Sequence, residues 1–335
     1  LVGVSEMKEI IVQLLCSLVL SLILMNPTNL NAVERCDVDN SDGQELLDAL
    51  EIYRANRTST IIPDEITIPV AWHVIRAFPP ITGDLTQEEI DAQMLVLNEM
   101  YNEFGILFEL IQTDRTTNSD WSNHAKSYES EFKSALNVDP EHILNIYSVV
   151  AIKLIIDIDG VLGEATFPDD YPEDSFMHGL MLKATTLPGG SEEGADQGYT
   201  AVHEIGHYLG LLHVFQGGCD IGDDDGVIDT PKMDDDSDTY RLCDEGKNTC
   251  PADGDDPIHN FMGYTPDDCM YEFTAGQMVN VFDIVEMLKP GLYHVDIPIA
   301  NSEIDVPGGN LGGQLSLDQL AGDEDYFAHP SGEDV

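Results

Sequence analysis

Three histidines and one glutamate between positions 203 and 213 have the spacing of a catalytic zinc site. The stretch reads HEIGHYLGLLH and contains the pattern H-E-x-x-H-x-x-G-x-x-H. On a helix, His203 and His207 lie one turn apart on one face, so both imidazoles can bind one ion with Glu204 beside the open coordination position. Gly210 is free to adopt a positive φ, which ends the helix abruptly and brings His213 round as the third ligand.

Three neutral nitrogen ligands leave the fourth zinc position open, which is typical of catalytic and not of structural zinc. In such a site Glu204 accepts a proton from the attacking water and passes it to the leaving nitrogen, while bound zinc polarises the carbonyl. A surface helix with incidental histidines is disfavoured, because so many fixed residues in so short a stretch rarely coincide by chance.

The composition excludes several classes of partner. The 335 residues include 14 Lys and Arg against 63 Asp and Glu, which gives a formal net charge of −49. Such an acidic surface repels phosphate backbones and anionic headgroups, so no nucleic-acid partner is expected. The hydrophobic content of 42% is ordinary for a globular chain and provides a core. The simplest interpretation of the charge is a surface that keeps the protein soluble in salty or extracellular surroundings.

The first 32 residues are typical of a secretory signal. Met7-Lys8 precedes an apolar stretch from Ile10 to Met25, and a polar run to Ala32 follows. The apolar stretch is shorter than the roughly 20 residues that a membrane helix needs. We therefore predict a secreted, extracellular protein without membrane attachment after signal removal. A retained buried or anchoring helix is the alternative interpretation.

Cysteines after the predicted signal fall into a cluster and one remote residue. The cluster comprises Cys219, Cys243, Cys250 and Cys269, and it contains no C-x-x-C pair. In an oxidising compartment this favours two disulfides over a zinc knuckle. Cys36 is then left as a single thiol.

The elements that position the zinc motif can be predicted from periodicity and caps. The capping box Thr86-Gln87-Glu88-Glu89 begins a helix that stops at Gly105, and an amphipathic helix follows Thr274 and ends at Pro290-Gly291. A shorter helical pattern surrounds residues 45–53. Strands are predicted at 61–78, 107–111, 143–152 and 179–183. Residues 217–256 are rich in Asp, Gly, Pro and Cys, so this segment needs disulfides or ions to hold a shape.

Beyond the zinc motif, eight stretches carry a family resemblance. They are PVAWHVI (69–75), DRTTNSDW (114–121), LNIY (144–147), GEATFP (163–168), LPGGS (187–191), FQGGC (215–219), DTP (229–231) and NFMGY (260–264). In these and in the extended zinc motif the chain resembles the pappalysin family of metzincin metalloproteases. The resemblance implies an α+β fold with two subdomains, in which a twisted mixed sheet and the active-site helix lie above a loop-rich, disulfide-stapled C-terminal subdomain.

The composition along the chain and the resemblance together give the expected domain limits. They are a signal peptide at 1–32, a pro-segment at 33–59, an N-terminal catalytic subdomain at 60–213, a C-terminal catalytic subdomain at 214–295 and a Gly- and Asp-rich tail or linker at 296–335. Family members often carry a pro-segment cysteine that caps the zinc, and Arg35-Cys36 falls at that place. Asp37 replaces the usual glycine, and an exposed leftover thiol is the alternative for Cys36. The loop 151–159 looks longer than its counterpart in the family.

Roles near the zinc follow from the resemblance as well. Met262 would form a hydrophobic floor in a turn beneath the imidazoles, and Tyr264 would stabilise the tetrahedral oxyanion. The cysteines would pair as Cys219–Cys250 and Cys243–Cys269. A structural calcium ion, Ca²⁺, would bind Asp225, Asp229 and the Thr230 carbonyl in the loop 220–236. A solvated run of aspartates is the alternative interpretation of that loop.

Charge close to the predicted Met-turn indicates a substrate preference. Asp267 and Asp268 lie where metzincins build the pocket for the residue after the scissile bond, and we assign the pocket carboxylate to Asp268. It would favour Arg or Lys through a charge-assisted hydrogen bond.

The leading hypothesis is thus a secreted, monomeric Zn²⁺ endopeptidase, made as a zymogen and acting on cationic proteins or peptides. A catalytically silent zinc-bound binding or adhesion module and a metal-dependent hydrolase of a non-peptide bond are the alternatives. The presence of Glu204 argues against the silent module.

Overall fold

A computed structural model describes residues 35–36, 43–57, 65–156, 160–219, 224–234, 242–251 and 254–293. Its centre is a mixed five-stranded sheet with the strand order β2-β1-β3-β5-β4. The strands are β1 (Ile66–Arg76), β2 (Ile106–Thr117), β3 (Leu144–Val149), β4 (Gly163–Ala165) and β5 (Leu180–Lys183). Strands β2, β1, β3 and β5 pair in parallel, whereas β4 is an edge strand that runs antiparallel to β5.

Six α-helices accompany the sheet in the described part of the chain. They are α1 (Gly43–Asn56), α2 (Gln87–Tyr101), α3 (Ser119–Asn123), α4 (Ala125–Leu136), α5 (Tyr199–Tyr208) and α6 (Ala275–Leu288). None of the helices that the structure describes is long and apolar enough to cross a membrane. The predicted signal at 1–32 and the predicted tail at 296–335 lie outside the described residues.

Strand β1 forms because its sequence suits a position buried on both faces. Its residues are largely β-branched or aromatic, and nine of the eleven are buried between neighbouring layers. Helix α2 begins at Thr86 with the predicted capping box, in which the Thr86 hydroxyl accepts from Glu89 N and the Glu89 carboxylate accepts from Thr86 N. A short 3₁₀ turn follows α2 and ends at Gly105, whose φ is 78°.

Helix α5 lies in the core of the molecule, where every residue after its first is buried. The side chain of Tyr101 on α2 donates a hydrogen bond of 2.8 Å to the Val202 carbonyl, which fixes α5 against α2. A helix buried on all sides is held in one position by its neighbours. The residues that it carries are therefore placed rigidly.

The chain beyond α5 has little regular structure until α6. Two disulfides, Cys219–Cys250 and Cys243–Cys269, tie this segment together in the pairing that the family resemblance implies. Helix α6 then begins at Thr274 with a second capping box, formed with Gln277. The predicted fold class, a mixed sheet with the active-site helix above a loop-rich and disulfide-stapled part, is confirmed.

Candidate zinc centre

The three predicted ligands converge at the end of α5. His203 and His207 point their Nε2 atoms towards each other at 3.0 Å, and His207 Nε2 lies 3.1 Å from His213 Nε2. Gly210 has a φ of 95°, so the helix stops there and the chain returns His213 to the same point. All three side chains are buried. The predicted geometry of the motif is thus present in the fold.

The environment of the imidazoles suits zinc. His203 Nδ1 donates to the Phe261 carbonyl and His207 Nδ1 donates to the Leu211 carbonyl, each at 2.7 Å, which directs the Nε2 lone pairs to the common point. Burial lowers the pKa of His207 to about 4 and lowers the pKa values of His203 and His213 well below the ordinary value. Three neutral nitrogens are therefore directed at one point, as a zinc ion requires.

Glu204 lies beside these imidazoles and is fully buried. Gly163 on β4 approaches it so closely that a β-carbon added there would lie 2.5 Å from Glu204 Cγ. Burial raises the pKa of the Glu204 carboxyl well above its usual range, the Glu164 carboxylate adds to the rise, and Arg35 opposes it. Neither Glu204 oxygen bonds to another described residue. A nearby dication opposes such a rise and favours the carboxylate.

Met262 lies in a tight turn that approaches α5, the helix that carries His203 and His207. Gly263 N donates to the Asn260 carbonyl at 3.0 Å, which closes the turn, and Met262 is fully buried. Gly206 of the zinc motif faces it, and a β-carbon at Gly206 would lie 3.1 Å from Met262 Cε. The small residue at 206 therefore lets the methionine approach the back of the helix.

Tyr264 and Cys36 meet on the open side of the imidazoles. Cys36 Sγ lies 3.1 Å from His213 Nε2, 3.4 Å from His203 Nε2 and 3.5 Å from His207 Nε2. The Tyr264 hydroxyl lies 3.0 Å from this sulfur and donates to the Cys36 carbonyl at 2.9 Å. A thiol and three imidazoles form a complete tetrahedral donor set for zinc.

Arg35, the residue before Cys36, is also buried. Its guanidinium donates to Asp267 Oδ1 at 2.7 Å and to the Thr265 carbonyl at 3.2 Å, and its carbonyl accepts from the backbone N–H groups of Leu162 and Gly163. Asp267 is buried and also accepts from Gln197 N at 2.9 Å. Asp268, to which the sequence analysis assigns the pocket, is exposed. Of these two neighbouring aspartates, Asp267 is therefore the one whose carboxylate is buried and bound to Arg35.

Helix α1, which follows Cys36, packs on the rest of the molecule with both apolar and charged contacts. Leu46 and Leu50 are buried against Phe167, Leu212 and Ile284. Near the end of α1, Arg54 and Arg57 both donate to the buried carboxylate of Asp283 on α6, Arg54 at 2.6 Å. The segment that carries Cys36 is thus attached at a second place, away from the zinc site.

Comparison with known proteins decides the family. The family model described as pregnancy-associated plasma protein-A, of the pappalysin peptidases, matches residues 123–286. An extracellular metalloprotease of Arthroderma benhamiae is 35% identical over 252 residues, which cover 74% of this chain and 81% of that protein. An extracellular metalloprotease of Verticillium alfalfae is 39% identical over 218 residues, 63% of this chain and 73% of that protein. The chain belongs to the pappalysin family. It is therefore a zinc metalloendopeptidase.

Solved structures have the same fold as this pappalysin. A mutant of promirolysin from Tannerella forsythia is 21% identical with a TM-score of 0.61, covering 77% of this chain and 96% of that chain. Mature mirolysin in complex with a cleaved peptide, from the same organism, is 23% identical with a TM-score of 0.55, covering 70% of this chain and all of that chain. At this identity the likeness concerns the fold.

The predicted calcium residues of this pappalysin are only partly brought together. Asp225 is buried, and its carboxylate accepts from the Thr230 hydroxyl at 2.7 and 2.9 Å and from Val227 N at 3.1 Å. Asp229 instead accepts from Thr274 Oγ1 and Gly276 N at the start of α6. Burial raises the pKa of Asp225 to about 7. Among the described residues, no third carboxylate, thiolate or imidazole group adjoins Asp225 and Asp229 closely enough to complete a cluster.

Sequence reasoning missed three residues of the site. Arg35 was singled out only as the neighbour of Cys36, Asp267 only as the neighbour of Asp268, and Gly163 only as part of a matching stretch. The contact of Arg35 could have been predicted from the sequence, because a cation next to the predicted zinc cap Cys36 has the charge that the predicted acidic pocket should bind. Gly163 had no signal of its own, since its role depends on contact with a residue forty-one positions away.

Proposed function

We propose that this pappalysin is secreted as a latent precursor and hydrolyses peptide bonds that precede a basic residue. In this proposal Glu204 is the general base, Asp267 selects the basic side chain, and Cys36 with Arg35 blocks the site until the pro-segment is removed. The observation that carries the proposal is the ion pair between Arg35 and Asp267, which lies beside the converging imidazoles.

The catalytic step depends on two side chains around the zinc ligands. Bound zinc would be held by His203, His207 and His213, and it supplies a Lewis acid that polarises the scissile carbonyl and acidifies the attacking water. The Glu204 carboxylate accepts the proton of that water and returns it to the leaving nitrogen. In this proposal the Tyr264 hydroxyl donates to the oxyanion of the tetrahedral intermediate, and the support is its hydrogen bond to the Cys36 carbonyl in this structure.

Selectivity follows from the burial of Asp267. Its side chain is shielded from water, and its partners Arg35 and Gln197 N are both donors. A buried carboxylate without a cationic partner is destabilised, so a substrate that supplies Arg or Lys is strongly favoured over one that does not. We therefore expect the first residue after the scissile bond to take the place that Arg35 occupies.

Latency follows from the same contacts. Cys36 Sγ completes the donor set at the open side of the imidazoles, and Arg35 fills the specificity pocket. In a substrate, the residue at the zinc precedes the basic residue, whereas Cys36 follows Arg35. The pro-segment in this proposal therefore runs through the cleft in the direction opposite to a substrate. The peptide bond that precedes its basic residue is then not held at the zinc ligands and Glu204.

The test uses the full secreted chain after removal of the pro-segment, with two peptides that differ only in Arg or Ala after the scissile bond. We expect Asp267→Asn to reduce the Arg over Ala ratio of kcat/KM by about 100-fold, because the charge-assisted pair is lost in a desolvated pocket. Asp268→Asn is the matched control, since the neighbouring carboxylate is exposed, and it should leave the ratio within about threefold.

Two outcomes would contradict the proposal. Retention of the Arg preference in Asp267→Asn would remove the assigned pocket. Hydrolysis that survives Glu204→Ala with zinc bound would remove the general base, and it would leave the pocket assignment intact. A catalytically silent adhesion module predicts no hydrolysis by the wild-type enzyme in the same assay.

We further propose that calcium binds at Asp225 with oxygens of the loop around it. The support is the buried carboxylate of Asp225 beside the Thr230 hydroxyl, whereas Asp229 is already bonded to the start of α6. Calcium should raise the Tm of the zinc-loaded protein, and Asp225→Asn should abolish this rise while Asp229→Asn reduces it less. An equal Tm in calcium and in a calcium-selective chelator would contradict the site.

A further inference from the structure

An exposed apolar loop lies directly before the edge strand β4. Ile152 and Val161 form an antiparallel bridge, and Ile155 N donates to the Ser127 hydroxyl at 3.1 Å, which ties the loop to α4. Between these points Leu154, Ile155 and Ile156 are 40%, 57% and 85% exposed. We call these three residues the apolar rim. Consecutive exposed apolar residues in a strongly acidic chain indicate a surface that another molecule covers.

The Ile152–Val161 bridge joins the apolar rim to the backbone that holds Arg35. Val161 precedes Leu162, and the N–H groups of Leu162 and Gly163 both donate to the Arg35 carbonyl, at 3.1 and 2.9 Å. Gly163 is the residue of this stretch that lies against Glu204. Going backwards from Gly163 leads away from Glu204 to Val161, and the bridge from Val161 to Ile152 then leads to the rim, which begins two residues after Ile152.

The direction of a bound substrate follows from these contacts, and this step rests on the proposed function. With its basic residue in the place of Arg35, a peptide has its scissile carbonyl at the imidazoles. Its later residues then lead away from the zinc, along the edge of β4 that does not face β5. An extended chain advances roughly 3.3 Å per residue, so the third and fourth residues after the scissile bond come level with the loop before β4.

We propose that the apolar rim is a second specificity surface, which binds apolar side chains at the third and fourth positions after the scissile bond. The substrate class is then an extended segment with a basic residue directly after the cut and aliphatic or aromatic residues two and three positions later. The substrate is the favoured occupant because the Ile152–Val161 bridge joins the rim to the backbone edge that already binds the Arg35 carbonyl. Strand addition supplies the main-chain bonds, and the rim adds side-chain selection.

The experiment compares three peptides with the same sequence up to the basic residue. One carries Leu at the third and fourth positions after the cut, the second carries Ser there, and the third ends after the second position. The enzymes are the active wild type and the Ile155→Ser/Ile156→Ser variant. The control is Leu95→Ser, because Leu95 is 69% exposed on α2, which packs beside β2 at the opposite edge of the sheet.

We expect the wild type and Leu95→Ser to cleave the Leu peptide with a kcat/KM about tenfold higher than the Ser peptide, mainly through KM. In Ile155→Ser/Ile156→Ser the ratio should fall below about twofold, while cleavage of the truncated peptide stays unchanged. Equal cleavage of the Leu and Ser peptides by the wild type, or an unaltered ratio in the double variant, would overturn the proposal. Equal cleavage by the wild type of the two peptides that carry Arg or Ala directly after the scissile bond would instead contradict the proposed function, so the two failures are distinguishable.

Discussion

Replacement of Gly163 by alanine should misplace Glu204, the proposed general base. The added β-carbon would lie 2.5 Å from Glu204 Cγ and 2.6 Å from Cδ, whereas ordinary contacts begin at 3.4 Å, so the carboxylate must retreat by about 0.9 Å. Glu204 is fully buried and has little room to move. A displacement of about 1 Å in a catalytic group costs about 100-fold in rate. We therefore expect kcat/KM to fall about 100-fold, which corresponds to about 3 kcal/mol of transition-state stabilisation.

The assay is hydrolysis of the Arg-containing peptide by the active enzyme, together with zinc content and Tm. The three atoms nearest to the added β-carbon all belong to Glu204, so the zinc content should stay at the wild-type value. Glu204→Ala removes all three of these atoms, so Gly163→Ala should cost little further residual activity or Tm in a Glu204→Ala background. The reasoning would be refuted if Gly163→Ala kept an activity within threefold of the wild type, or if its loss of activity followed a loss of zinc. Additive losses in the double variant would refute it as well.

Three further predictions concern residues around the site. Asp283→Asn removes the carboxylate that binds Arg54 and Arg57 at the end of α1, so alkylation of Cys36 in the proposed zymogen should become at least about tenfold faster. An unchanged alkylation rate would contradict a role of these ion pairs in holding Cys36 in place. Phe215→Leu removes the ring stacked on His213 at 4.6 Å, so zinc affinity, measured by chelator competition, should weaken about tenfold. Burial lowers the pKa of Lys289 to about 8, below its ordinary 10.5. Between these pH values the unfolded state binds the proton more tightly than the folded state, so the free energy of unfolding should rise as the pH rises from 8 to 10.5. Lys289→Met should therefore have a higher Tm than the wild type at pH 7, and the difference should shrink towards pH 10; a constant difference would count against it.

Local features of the fold were predictable because their physics is local. The capping boxes at Thr86 and Thr274 and the turn at Gly210 each depend on residues within four positions of one another. Helix α4 was not predicted, since its polar residues mask the few buried positions. Strand β4 has only three residues, too few for an alternating pattern, and pairing with β5 alone defines it.

The different burial of Asp267 and Asp268 shows where sequence reasoning ends. Asp267 and Asp268 are identical neighbours, and the short 3₁₀ turn that carries them buries one and exposes the other. The choice is made by Gly194, whose carbonyl accepts from Asp267 N, and by Gln197, whose N–H donates to the Asp267 side chain. Both partners lie about seventy positions away along the chain, so no local pattern could distinguish the two aspartates.

The chain has a net charge of −49, and the cations of its predicted pro-segment bind some of its carboxylates. Every cation between positions 33 and 59 pairs with a buried carboxylate of the remaining chain: Arg35 with Asp267, and Arg54 and Arg57 with Asp283. In the proposed precursor, the acidic chain is thus inhibited through the same chemistry by which it selects substrates. Departure of the pro-segment leaves Asp267 facing the cleft without a cation, and a buried carboxylate in that state favours an incoming Arg or Lys. Latency and specificity are then two consequences of one carboxylate, and a substitution of Asp267 should weaken both together.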